Sequence, residues 1–187
     1  MKKLYLFIAA LSVFYFGCSD VSTNNVNQPV NSDKQFIQLP AKSGLSTESV
    51  LSVSDNVNGA WGDILFLNGS YTDVNGNKIY TIATLIVPGG AFNGRKTLTM
   101  SCDDVYAGLD FAPSMTFNKP LYLTLSFTGL DLKSMGITNS NVGFYYVDSN
   151  GKYVSIPNAG IIVSVRTGTL TVIGAKIDHF SRYAFAH

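Results

Sequence analysis

The stretch Thr97 to Cys102, TLTMSC, alternates without a break. Successive side chains of an extended strand point to opposite faces, so Leu98, Met100 and Cys102 share one side and Thr97, Thr99 and Ser101 the other. LYLTLSF, 121–127, repeats the pattern with Leu121, Leu123, Leu125 and Phe127 inward. DILFLNGSY and KIYTIATLIVP, 78–88, read as two strands joined across TDVNGNK, where Asn75-Gly76 is a strong hairpin signal. Pro88 ends the second strand because it has no N–H for a ladder. VGFYYVDSNGKYVSI uses the same device at Asn150-Gly151, and GIIVSV pairs with TLTVIGAKI across Arg166–Gly168. RYAFA reads as a last short strand. Only LDLKSMGI, 130–137, has helical character, a single turn cut short by Gly136. Turn signals recur roughly every 8 to 12 residues, the rhythm of a sandwich or barrel. The pattern predicts an all-β chain with an antiparallel β-sandwich over residues 43–187.

The first residues follow another rule. MKK precedes LYLFIAALSVFYF, an apolar run of 13 residues. As a helix it would span roughly 20 Å, short of a ~30 Å hydrocarbon core, so residues 1–17 read as a signal peptide. Residues 18–42 are polar, carry Pro29 and Pro40, and lack periodicity. They read as a flexible tether, with QFIQL, 35–39, able to dock as an edge strand.

Composition narrows the function classes. The chain is 46% hydrophobic and only 13% charged, so it buries a proper core. Its formal charge is +1; the 13 basic residues lose Lys2 and Lys3 with the leader, leaving 11 against 12 acidic ones, formally −1. No basic cluster remains, which argues against a nucleic-acid partner. No phosphate loop and no Cys or His spacing for a metal occurs, so neither a cofactor nor a metal is expected.

The candidate chemistry is sparse. Asp178, His179 and Ser181 invite a triad, yet such residues normally converge from separate segments, and His179 is expected to be structural. Asp103, Asp104 and Asp110 are the best carboxylate group, for calcium or for a hydrolase pair of Asp103 with Asp104. Tyr71, Tyr80, Tyr122, Tyr145 and Tyr153 are candidates for a stacking face toward sugars or proteins. Cys102 is expected to be a buried, reduced core thiol.

Two resemblances add to this. Gly17-Cys18 at the end of the apolar run resembles a bacterial lipoprotein signal, although Tyr15 and Phe16 depart from its pattern. The resemblance implies lipidation of Cys18, and with Ser19 after it, an outer-membrane address in a two-membrane bacterium. ATLIVPGGAF (83–92), FAPSMTFNKPLYLTLSF (111–127, with Pro113, Phe117 and Pro120) and IDHFSRYAFA (177–186) together resemble the ZU5-like β-sandwich of envelope lipoproteins. Tyr153 stands where relatives carry Trp. That resemblance implies a noncatalytic module for protein interaction, adhesion or envelope assembly, held to the membrane by its N-terminal lipid, with a protein or glycan partner. The alternatives are a glycan-binding accessory lipoprotein and, after it, a secreted hydrolase using Asp103 and Asp104.

Overall fold

A computed structural model describes residues 34–44 and 51–187. The signal peptide, Cys18 and most of the tether lie outside the described residues. Eleven strands follow in chain order: β1 (Ser52–Asn58), β2 (Asp63–Thr72), β3 (Lys78–Val87), β4 (Arg95–Cys102), β5 (Gly108–Ala112), β6 (Thr116–Thr128), β7 (Gly143–Val147), β8 (Tyr153–Ser155), β9 (Gly160–Ser164), β10 (Thr169–His179) and β11 (Arg182–Ala186). They form two antiparallel sheets packed face to face, one ordered β1-β4-β5-β11-β7-β8 and the other β2-β3-β6-β10-β9. The fold is the β-sandwich that the alternation predicts.

The alternation also fixes the core. Leu98 and Met100 of β4 and Leu121, Leu123, Leu125 and Phe127 of β6 are fully buried, as the inward parity requires. Phe117 closes one end of the sandwich, edge-on to Phe180 at 4.9 Å and tilted against Phe92. The two Asn-Gly hairpins share one construction. Asp73 accepts from the N–H groups of Asn75 and Asn77, and Asp148 from those of Asn150 and Lys152. Gly76 and Gly151 then turn at φ 83° and 77°, where a side chain would be strained. Burial works to raise the Asp73 carboxyl, and the bonds from Asn77 and Asn75 outweigh it, holding it below the ordinary carboxylate value. The 130–137 segment is the expected single turn. It ends with Ile137 N–H on the Leu132 carbonyl and Gly136 N–H on that of Lys133, a Schellman pair with both apolar side chains buried.

HFSRY is a corner. The chain crosses from β10 in one sheet to β11 in the other over Phe180 and Ser181, and the fully buried Tyr183 donates its hydroxyl to the His179 carbonyl at 2.5 Å. A tyrosine bonding back a few residues upstream is a known way to pin such a crossing.

The tether boundary at residue 42 needs correction. Residues 35–39 do not lie on a sheet edge; they are wedged inside the six-stranded sheet. The N–H groups of Gln35 and Ile37 donate to the carbonyls of His187 and Phe185 on one side. On the other side Ala107 N–H donates to Ile37 and Leu39 N–H to Val105. Ile37 is buried in the core, and Phe36 packs 4.8 Å from Tyr153 and 5.4 Å from Tyr106 on the outer face. Composition alone could not separate these residues from the polar run before them.

Candidate functional site

The three carboxylates come from one turn and one strand, and the fold distributes them between two cations. Asp103 follows β4 and is almost wholly buried. Its Oδ1 accepts from Val105 N–H at 2.7 Å and Tyr106 N–H at 2.9 Å, shaping the turn that leads into β5. Its Oδ2 lies 2.9 Å from Arg182 Nε, whose hydrogen is directed to Asp110 Oδ1, also at 2.9 Å; the Asp103 contact is therefore one of charge. Asp110 and Arg182 are register partners across β5 and β11. Burial acts to lower the Arg182 pKa, but the Asp110 bond and both carboxylate charges outweigh it, and the net direction is up. Asp104 pairs with Lys42 Nζ at 3.0 Å. Among the described residues no group of three His, Cys, Asp or Glu side chains is placed to hold a metal ion. Asp103 and Asp104 are held by different cations, Arg182 and Lys42, and both border the same cavity beside Cys102.

His179 lies edge-on to the Tyr146 ring at 4.7 Å and tilted against Tyr183 at 5.8 Å. Among the described residues no hydrogen bond joins its ring to Asp178 or Ser181. The hydrogen bond at this corner runs to the His179 backbone carbonyl, from the Tyr183 hydroxyl.

The five tyrosines separate into three environments. Tyr153 is buried under Phe36, edge-on to the half-buried Tyr145. Tyr71 is half-buried and donates its hydroxyl to the Pro40 carbonyl at 2.9 Å; burial, then the charges of Cys102 and Asp73, push its pKa up. Only Tyr80 and Tyr122 are exposed, and both sit on the outer face of the five-stranded sheet.

Tyr71 and Cys102 share a cavity of about 350 Å³ between the two sheets, lined also by Leu51, Thr81, Asp103 and the Lys42–Asp104 pair. Cys102 shares the inward parity of Leu98 and Met100, but it is half-buried against this cavity, not sealed in the core. Burial pushes its thiol up to about 11; the Thr81 hydroxyl opposes this, Asp103 and Asp104 add to it, and Lys42 opposes again. A thiol titrating there is almost entirely protonated at neutral pH and a poor nucleophile. Alkylation of the folded protein should therefore be slow at pH 7, rise about tenfold per pH unit toward pH ~11, and become fast on unfolding. A folded protein that reacts at the unfolded rate at neutral pH would contradict this environment.

The most unusual surface escaped the sequence reading. Ile64 and Phe66 of β2 and Ile82 and Ile86 of β3 are exposed, the first two at 59% and 56%. The register sets Ile64 beside Ile86 and Ile86 beside Tyr122, while Phe66 and Tyr122's neighbour Thr124 flank Thr84. These residues make one contiguous apolar face around Thr84, with Tyr80 beyond Ile82. Trp61, 85% exposed, lies at the start of β2, its backbone against Gly89. The signal was present: ILFL and IATLIV carry apolar residues in both parities, and an antiparallel strand with one wet face is expected to alternate.

Sheet count, pairing and corner define an all-β antiparallel sandwich. Compared with known proteins, the chain matches no family model, no curated protein and no solved structure.

Proposed function

We propose that the chain is a lipid-anchored, noncatalytic protein of the cell envelope whose β-sandwich, ZU5-like in its motifs, engages a partner through the outer face of the five-stranded sheet. The observation that carries this reading is the contiguous apolar face of Ile64, Phe66, Ile82, Ile86 and Tyr122. Contiguous patches beyond a few hundred Å² are rare on monomers and mark contact surfaces. Polarity along the sandwich supports presentation away from an anchor. Trp61 precedes β2, whereas Ser43, on the segment leading from the tether, bonds to Thr72 at its far end. Ten residues of strand put the two poles roughly 33 Å apart.

The anchor rests on Cys18 and the outer-membrane address on Ser19 after it. Acyl label should enter the full-length chain and be lost in Cys18→Ala, with processing blocked by globomycin; label retained in Cys18→Ala refutes the anchor.

A glycan partner is the second reading, favoured by exposed Phe66, Tyr80 and Tyr122 beside the hydroxyls of Thr84, Thr124 and Ser126. Sugars stack on aromatic planes, whereas Ile64, Ile82 and Ile86 present branched aliphatic surface, which suits a protein better. Binding on a glycan array that is lost in Tyr122→Ala would favour the sugar.

A further inference from the structure

We infer that the partner seated on this face is a second copy of the chain, packed sheet against sheet; this rests on the reading above that the face is the contact surface. Three observations select that occupant. The first is area. With aromatic side chains carrying on the order of 150–250 Å², the exposed fractions of Ile64, Phe66, Tyr80, Ile82, Ile86 and Tyr122 amount to roughly 600 Å², before the polar positions between them are added. A standard stable interface takes about 800 Å² from each partner. The second is charge. Outward positions of β2, β3 and β6 in this register carry one charge, Lys78 at the far end, and β10 adds Lys176 at the margin, across from Tyr122. The apolar centre of the face, away from these two lysines, offers nothing for a charged partner to complement. The third is regularity. From Asp63–Val87 to Thr72–Lys78, β2 and β3 pair over ten positions without a bulge. An unbroken pleated surface of this kind is what face-to-face sheet packing at ~10 Å requires, and a two-fold axis through it makes the patch its own complement.

The test uses the full-length chain in its native cells, with a photo-crosslinking benzoylphenylalanine replacing Phe66. The expected product migrates at twice the chain mass and yields only this chain's peptides, while the same probe at Ser54, on the outer face of the other sheet, yields none. In detergent, the full-length protein should sediment as a dimer, and Ile86→Lys should weaken self-association by roughly tenfold or more with an unchanged melting curve. A Phe66 product containing a different protein overturns the second copy but leaves the contact surface standing. No product from Phe66 overturns both. The crosslink also stands independently should Ile86→Lys fail to fold.

Discussion

Asp103→Ala is expected to lower the unfolding free energy by about 2–4 kcal/mol, and Asp104→Ala by less than about 1 kcal/mol. The two neighbours differ because of what each touches. Asp103 is buried, accepts two backbone N–H groups and lies against the Arg182 guanidinium. Its removal leaves the N–H groups of Val105 and Tyr106 without their acceptor, and an unsatisfied buried donor such as that of Tyr106 costs about 1–3 kcal/mol. Asp104 makes one half-exposed pair with Lys42, and such pairs contribute about 0–1 kcal/mol. Thermal or urea unfolding of both variants measures the contrast. A domain of this size should lose roughly 5–12 °C of Tm in Asp103→Ala. Equal losses, or none in Asp103→Ala, would remove the structural role assigned to it. A turnover lost in Asp103→Ala with the fold intact would support the hydrolase alternative.

Ile37→Ala should cost about 2–4 kcal/mol, the range for truncating a fully buried aliphatic side chain. A polar tether would tolerate the change within ~0.5 kcal/mol. The difference comes from the wedge: Ile37 is closed on both sides by main-chain bonds to Phe185 and Ala107 and has its side chain in the core. The companion Gln38→Ala, exposed on the same segment, should be near neutral. If Ile37→Ala unfolds like the parent, the segment does not belong to the sandwich.

The strands that alternate cleanly were legible in the sequence, as were both Asn-Gly hairpins and the single turn at 130–137. β1 was not individually legible because Asp55 interrupts its apolar parity between Val53 and Val57. β5 was hidden by its shortness and by Gly108, which reads as a turn residue. It is glycine because a Cβ there would lie 2.5 Å from that of Ala184 on the adjacent strand. That closeness is a property of two strands far apart in sequence, and no local pattern carries it. The same limit applies to the carboxylates. Asp103, Asp104 and Asp110 form a group in the sequence, but Arg182 and Lys42, which divide them, come from opposite ends of the domain. The apolar outer face was legible and went unread, because ILFL and IATLIV already satisfied the expectation of a core strand.

The wedge at residues 35–39 also constrains the order in which the molecule can assemble. Translation runs from the N-terminus, so Gln35, Phe36 and Ile37 emerge long before Ala107 and longer still before Phe185 and His187. Nothing made early can hold them. Their slot exists only once β5 and β11 lie side by side, and the loop that must close first spans most of the domain. A nascent chain lacking β11 has no complete six-stranded sheet to dock into. Completion of the sandwich therefore waits for β11, and residues made early in the domain are among the last to find their place.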